Sequence, residues 1–164
     1  SRSRVSARPE NFGDSAIRPM GANDLDAVVA IEERAYEFPW SRGIFSDCLL
    51  AGYYCAVLVA DGVVSGYAIM SVAAAEGHIL NLCVENHLRQ RGLGRQLLNF
   101  LLARVKAANM ERLFLEVRPS NAAAIALYDS AGFTRLGTRK GYYKAREGRE
   151  DALVFVLELR GAQQ

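Results

Sequence analysis

The feature that most constrains the fold is a strand that runs into a glycine-containing loop and then into a helix, over residues 77–105. Residues 77–84 alternate and cluster apolar side chains as a buried strand does. Beyond residue 95, apolar residues recur at helical spacing, at Leu97, Leu98, Leu101, Leu102 and Val105. Because the first turn of a helix carries unpaired backbone N–H groups and the positive end of the helix dipole, this junction predicts a binding site for phosphate groups.

The loop itself contains the residues that an anion-binding turn needs. Gly92 and Gly94 let the backbone approach a bulky anion without interference from a Cβ atom. Charged donors around that anion come from three arginines, Arg89, Arg91 and Arg95. The expected ligand therefore carries a pyrophosphate or several phosphates. A plain strand-to-helix turn with a solvated basic rim is the alternative interpretation of the same residues.

Two common nucleotide-binding motifs do not fit this loop. The dinucleotide fingerprint G-x-G-x-x-G is not satisfied, because Leu97 stands where the third glycine would be. The P-loop is excluded because no lysine followed by serine or threonine comes after the glycines. A phosphate-bearing ligand would therefore be held in another way.

The composition predicts one compact domain. With 164 residues, of which 51% are hydrophobic, the chain can bury a core without needing disulfide bonds or a structural metal ion. We expect the domain to span residues 16–160. Residues 1–15 form a polar stretch with serine, arginine, proline and glycine, which predicts a disordered tail. A net charge of +2 is too small to indicate nucleic-acid binding, so no nucleic-acid partner is expected.

Cysteine usage and hydropathy indicate the cellular setting. The cysteines are Cys48, Cys55 and Cys83, an odd number without a C-x-x-C motif, so neither a disulfide framework nor a metal site is expected. No apolar run approaches the roughly twenty residues that a membrane-spanning helix needs. We therefore expect a metal-free protein in a reducing, cytoplasmic setting, without a membrane partner.

The periodicity predicts an α/β fold with a mixed sheet. Strands are predicted at 16–20, 54–60, 63–73, 78–84, 112–117, 134–143 and 151–159, and helices at about 24–36, 41–51, 94–108 and 122–131. Asp61-Gly62 predicts a hairpin turn, and a second reversal is expected around Glu76-Gly77. The first strands then form an antiparallel meander, the helix at 94–108 crosses over to a parallel strand, and the last two strands form a hairpin at the far edge. In such a sheet the ligand lies beyond the carboxyl ends of the parallel strands.

Two residues near the second parallel strand have side chains suited to acid–base chemistry. Glu116 lies near the end of an otherwise apolar strand, and Tyr128 lies on the short helix that follows. If this helix folds back beside the strand, the carboxylate can act as a general base and the phenol as a general acid toward a leaving group. Alternatively, Glu116 lies on a solvated face beside Arg112 and Arg118, and Tyr128 packs in the core.

Several motifs occur in an order that resembles one protein family. They are Phe38-Pro39-Trp40-Ser41, Arg89-Gln90-Arg91-Gly92-Leu93-Gly94, the block from Leu115 to Tyr128, Gly132-Phe133 and Tyr142-Tyr143. Together they resemble the GNAT acetyltransferases, and within them the RimI branch of ribosomal-protein alanine N-acetyltransferases, over residues 17–159. The glycine loop resembles the acetyl-coenzyme A loop of the whole superfamily, whereas the block from Leu115 to Tyr128 is the most specific part.

The resemblance implies the GNAT fold and direct transfer of acetyl from acetyl-CoA to the α-amine of an N-terminal alanine. In the bacterial enzymes that this chain resembles, the acceptor is the eighteenth protein of the small ribosomal subunit. Glu116 matches the family's proton acceptor and Tyr128 its proton donor. The positions implied as cofactor contacts are Leu82, Cys83, Val84, Arg89, Gln90, Arg91, Gly92, Leu93, Gly94, Arg95 and Asn121.

The acceptor groove and the oxyanion site are less constrained. Trp40 with Phe38, and Tyr142 with Tyr143, are expected to wall a groove for an extended peptide, or else to close the ends of a small core. A backbone N–H near Cys83 or Val84, at a strand bulge, is the expected oxyanion donor.

Three further side chains are expected to have no catalytic role. Cys83 has no base beside it in sequence to lower its pKa, so packing explains it better than nucleophilic catalysis. His78 and His87 are each isolated in the sequence.

The sequence departs from the family pattern at residues that bear on the acceptor. Lys140-Gly141, Lys144 and Glu85-Asn86 depart from the family pattern around the groove and the loop. One alternative is a GNAT enzyme that acetylates other protein N-termini, a lysine or a small amine. Another is a non-catalytic module that binds coenzyme A.

Overall fold

The structure, a computed structural model, describes residues 15–89 and 91–159. Most of the predicted tail, the loop residue Gln90 and the predicted end of the domain at residue 160 lie outside the described residues. The strands are β1 (Ser15–Pro19), β2 (Tyr54–Ala60), β3 (Val63–Ala73), β4 (Glu76–Val84), β5 (Arg112–Val117), β6 (Thr134–Lys144) and β7 (Arg149–Glu158). The helices are α1 (Leu25–Ala35), α2 (Arg42–Leu50), α3 (Leu93–Ala107) and α4 (Ala122–Ser130), and two short 3-10 turns cover Ala22–Asp24 and Asn86–Leu88.

The strands of the described chain form one seven-stranded sheet in the order β1-β2-β3-β4-β5-β7-β6. β4 and β5 run parallel, and the other neighbouring pairs are antiparallel. The predicted mixed sheet with a parallel crossover is therefore confirmed. The last hairpin also lies at the far edge, where β7 pairs with β5 and β6 is outermost.

Alternation along the central strands gives each face of the sheet its own core. On one face, buried side chains of β5 pack with α3 and α4, and the members from α3 are Leu93, Leu97, Leu98, Leu101 and Val105. On the opposite face, α1 and α2 cover strand residues that include Val57, Tyr67 and Ile69. The two pairs of helices therefore sandwich the sheet.

Helix and turn boundaries follow local chemistry. α2 begins after Ser41, whose Oγ accepts a hydrogen bond from the backbone N–H of Ile44 at 3.3 Å. The β2–β3 turn places Asp61 at φ 54° and Gly62 at φ 80°, the left-handed conformation of a tight hairpin. Within the described ranges, no helix is both long and apolar enough to cross a membrane.

The second reversal lies earlier than the sequence predicted. Glu76 and Gly77 already belong to β4, and the chain turns at Ala74, which adopts φ 54°. Gly77 serves packing instead, because a Cβ atom there would lie 3.0 Å from Leu113 Cδ1. The prediction failed because a glycine that permits a close contact was interpreted as a glycine that permits a turn.

Candidate active site

A cleft opens where the two parallel strands separate. β4 and β5 pair from Glu76 and Arg112 as far as Ile79 and Leu115. Both strands continue beyond this point, β4 as far as Val84, so their carboxyl ends diverge. The cleft at the divergence has a volume of about 420 Å³, and its walls come from β4, β5, the α1–α2 connection, the start of α4 and the β6–β7 hairpin.

Glu116 and Tyr128 both line this cleft, and they reach it from opposite faces of the sheet. Glu116 alternates with Leu115 and Val117, which belong to the same core as Tyr128. Because the sheet is open at this level, side chains from both faces can line one space. The Glu116 side chain is only 7% exposed. Burial raises the pKa of the Tyr128 phenol, so its hydroxyl keeps its proton at neutral pH.

A histidine contacts Glu116. His78 Nε2 lies 2.6 Å from Glu116 Oε1, and Arg139 Nε lies 3.7 Å from Glu116 Oε2. The expectation that His78 is isolated is therefore wrong, because the β4–β5 register sets it opposite Phe114, two residues before Glu116. No local pattern in the sequence joins these positions. His87 is exposed in the second 3-10 turn.

The alternative pairing of Glu116 with Arg112 or Arg118 does not occur. Arg112 instead bonds to carboxylates of neighbouring strands, Glu76 and Glu158. Arg118 donates to a carboxylate oxygen of Glu150 at 3.0 Å, and its guanidinium lies 4.3 Å from the centre of the Tyr143 ring. Arg118 therefore holds the β6–β7 hairpin against the end of β5.

The glycine loop has the predicted backbone form. Gly92 precedes α3 at φ 81°, a left-handed conformation that glycine adopts without strain, and the helix begins at the next residue. Arg89 Nε donates to the backbone oxygen of Val84 at 3.0 Å, and the Arg95 guanidinium donates to the hydroxyl of Ser130. These two arginines brace the loop against β4 and α4, a role that the sequence did not predict.

The β4 residues with predicted cofactor contacts lie at the divergent end of the strand. Leu82 lines the cleft, whereas Cys83 and Val84 are buried. Burial raises the pKa of the Cys83 thiol, which argues against a nucleophilic role. The predicted bulge at Cys83 or Val84 is wrong: the pairing of β4 with β3 skips Leu80. The bulge depends on the register with β3, which the sequence of β4 alone does not specify.

The other predicted binding residues lie near the cleft mouth. Asn121 lines the cleft and caps α4, its Oδ1 accepting from the backbone N–H of Ala124 at 3.1 Å. Trp40 and Tyr143 also line the cleft. Tyr142 does not line it but packs edge-to-face on Tyr143, with 4.9 Å between ring centroids. Trp40 and Tyr143 therefore form the predicted aromatic wall of the cleft, and Tyr142 packs against Tyr143 outside the cleft lining.

A buried carboxylate beside the cleft was not predicted. Glu32 is 2% exposed, and its Oε1 accepts from the Tyr67 hydroxyl at 2.6 Å and from Asn81 Nδ2 at 3.0 Å. Its Oε2 accepts from the backbone N–H of Trp40 at 2.9 Å. A signal for this residue does exist in the sequence, because Glu32 follows Val28 at helical spacing on the apolar side of α1.

Comparison with known proteins explains this arrangement. Residues 25–133 match the Acetyltransferase (GNAT) family. The chain belongs to the GNAT acetyltransferase family. GNAT enzymes use acetyl-CoA as a cosubstrate, which fits a glycine loop placed next to a cleft between parallel strands.

Individual GNAT relatives extend the match over most of the chain. The chain is 38% identical over 145 residues to the [ribosomal protein bS18]-alanine N-acetyltransferase of Escherichia coli (strain K12), covering 88% of this chain and 98% of that protein. The crystal structure of the ribosomal-protein-S18-alanine N-acetyltransferase from Escherichia coli superposes with a TM-score of 0.82 at 38% identity, covering 88% and 93% of the two chains. Arabidopsis thaliana Naa50, in complex with the bisubstrate analogue CoA-Ac-MVNAL, has the same fold with a TM-score of 0.80 at 22% identity, covering 89% and 99%. These matches confirm the family resemblance and the predicted fold.

Proposed function

We propose that this GNAT protein transfers the acetyl group of acetyl-CoA to the α-amine of an N-terminal alanine, and that the acceptor is the eighteenth protein of the small ribosomal subunit, bS18. The observation that carries the proposal is 38% identity across 98% of the length of a relative named for this activity. A single cleft lined by both Glu116 and Tyr128 supports direct attack in a ternary complex.

The cofactor would bind from the glycine loop to the cleft. The diphosphate of acetyl-CoA would bind the N-terminal end of α3 around Gly92, where unpaired N–H groups and the helix dipole favour an anion. The pantetheine arm would follow the divergent end of β4, over residues 82–84. The remaining proposed contacts are Arg89, Gln90, Arg91, Leu93, Gly94, Arg95 and Asn121.

Acetyl transfer then needs one proton acceptor and one proton donor. An N-terminal amine has an ordinary pKa of about 8 and arrives largely protonated. Glu116, directly or through a water, takes a proton, and the amine nitrogen forms its bond to the thioester carbon. Backbone N–H groups on the open edge of β4 stabilise the oxyanion. As the C–S bond breaks, Tyr128 gives its phenolic proton to the sulfur. The nitrogen releases its second proton to water to become the amide, and water returns a proton to the Tyr128 phenolate.

Substitution of the acid–base pair tests this mechanism. Glu116→Gln keeps the side-chain size but removes the base, so turnover at pH 7 should fall roughly a hundredfold or more while affinity for CoA stays nearly unchanged. Tyr128→Phe should also slow turnover, because the thiolate loses its proton donor. Steady-state kinetics measure turnover, and calorimetric titration measures CoA binding.

A matched control for the phenol is Tyr53→Phe, because Tyr53 is 38% exposed and does not line the cleft. It should keep wild-type turnover. Unchanged turnover in both Glu116→Gln and Tyr128→Phe would remove the proposed mechanism. A wild-type protein that binds CoA but shows no turnover would favour a non-catalytic module that binds coenzyme A.

The acceptor needs an experiment of its own. The protein is incubated with acetyl-CoA and, separately, with the N-terminal peptide of bS18, a peptide with an internal lysine, and a polyamine. We expect acetylation of the alanine peptide and, in cells lacking the protein, a missing acetyl group on bS18 by mass spectrometry. Preference for the lysine or the polyamine would keep acetyl transfer and refute the ribosomal acceptor.

A further inference from the structure

Glu116 is held by a side chain that the mechanism above does not use. His78 lies on β4 opposite Phe114 of β5, and its Nε2 is 2.6 Å from Glu116 Oε1. The His78 side chain is 33% exposed, whereas that of Glu116 is 7% exposed. The imidazole therefore stands between a nearly buried carboxylate and solvent.

We propose that His78 is a positioning residue for Glu116: its neutral imidazole donates Nε2–H to Oε1 and thereby orients Oε2 toward the amine of the acceptor. This inference rests on the proposed role of Glu116 as proton acceptor. The 3.7 Å between Oε2 and Arg139 Nε exceeds the length of a hydrogen bond, so Oε2 keeps lone pairs for a proton from the amine. Without His78, the carboxylate loses the contact that fixes its orientation.

Three charged or titratable side chains of β6 surround this pair. Arg139 of β6 lies beside Oε2, and Tyr142 and Tyr143 of the same strand interact electrostatically with Glu116. Burial raises the pKa of both phenols, so they remain neutral near pH 7, and an arginine stays charged. Imidazole is the side chain in this group whose type changes charge between pH 5 and 8.

Protonation of His78 weakens the neighbouring base. A second proton, taken from solvent at Nδ1, makes an imidazolium that keeps its Nε2–H bond to the carboxylate and adds a positive charge beside it. An opposite charge favours the ionised carboxylate, so Glu116 then accepts the proton of the amine less readily. Turnover is therefore slower beside a doubly protonated imidazole than beside a neutral one.

Two substitutions of His78 distinguish the effect of its hydrogen bond to Glu116 from the effect of its charge. His78→Ala removes the donor, and kcat should fall roughly tenfold to a hundredfold with little change in the KM of the acceptor peptide. His78→Gln keeps an N–H donor that does not titrate, so it should retain most of the kcat at pH 8. Between pH 5 and 7, log kcat of His78→Gln should fall less steeply than that of the wild type.

His87→Gln is the matched control, since it changes the exposed histidine of the 3-10 turn and should keep the wild-type kcat and pH profile. If Glu116→Gln is inactive while both His78 variants keep the wild-type kcat and profile, the positioning role is overturned and the proposed function stands. An equal loss of kcat in both His78 variants with an unchanged pH slope also overturns it, because that result describes a structural role. A fully active Glu116→Gln removes the base and this inference together.

Discussion

At the scale of single residues, one buried carboxylate joins three separate elements next to the cleft. Glu32 of α1 accepts hydrogen bonds from Tyr67 on β3, from Asn81 on β4 and from the backbone of Trp40. All three donors are neutral, so hydrogen bonds rather than a counter-charge offset the cost of burying this carboxylate. Because Trp40 and Asn81 both line the cleft, Glu32 fixes the α1–α2 connection relative to β4.

Removal of this carboxylate should destabilise the fold strongly. Glu32→Ala leaves the buried Tyr67 hydroxyl and two half-buried donors without their acceptor, and the free energy of unfolding should fall by about 3 kcal/mol. Glu33→Ala changes the adjacent, exposed position of α1 and should stay within about 0.5 kcal/mol of the wild type. Urea denaturation measures both variants. Equal stability of the two variants would mean that water replaces the Glu32 carboxylate without cost.

The candidate site is predictable from the sequence only where its residues belong to one local unit. Glu116 and Tyr128 stand in a single strand–loop–helix segment, so spacing and residue type predict that they share a cleft, and the family resemblance adds their proposed roles. His78 joins them through the β4–β5 register, and the donors to Glu32 come from separate elements. Such contacts depend on tertiary pairing, which the periodicity of one chain segment does not specify.

At the scale of elements, β3 and β4 approach each other closely beside the proposed cofactor contacts. A Cβ atom at Gly66 of β3 would lie 2.8 Å from the backbone oxygen of Cys83 and 3.3 Å from Leu97 Cδ1. A backbone oxygen cannot rotate away as the end of a side chain can. A side chain at this position would therefore move the divergent end of β4.

Gly66→Ala should consequently affect both stability and cofactor binding. The expected loss of unfolding free energy is about 1–3 kcal/mol from overpacking, accompanied by weaker CoA binding. Gly137→Ala is the control, because Gly137 is a strand glycine of β6 with no atom within 4 Å of the added Cβ. Urea denaturation and calorimetric titration measure the two effects. A destabilised Gly66→Ala with wild-type CoA affinity would argue that residues 82–84 do not hold the pantetheine arm.

Element boundaries were predictable where caps and glycines act locally, and the arrangement of the elements was less so. Ser41, Asp61-Gly62 and the apolar spacing of α3 correctly mark a helix start, a hairpin and a helix. The sequence does not indicate that β7, rather than β6, pairs with β5, because either strand of a hairpin can occupy the inner position. The bulge at Leu80 likewise arises only when β4 pairs with β3.

At the scale of the whole molecule, the sheet consists of two parts joined by a short parallel ladder. The antiparallel strands β1 to β4 form one part, and β5, β7 and β6 form the other. Four residue pairs join β4 to β5 before the strands separate at the cleft. A ligand that binds along β4 and at the start of α3 and reaches the cleft would contact both parts.

Such a ligand should raise the stability of the whole molecule. CoA at a hundredfold excess over its Kd should add about 2.7 kcal/mol to the free energy of unfolding. For a chain of this size that corresponds to a rise in Tm of roughly 5–10 °C, measured by calorimetry. The rise should be equal in Glu116→Gln, because that residue is proposed to act on the amine rather than on the cofactor.

Pantetheine, which lacks the diphosphate and the nucleotide, should raise the Tm far less than CoA at the same concentration. Added salt should reduce the effect of CoA, because it screens the phosphates. Equal shifts with pantetheine and CoA would contradict a diphosphate site at the start of α3.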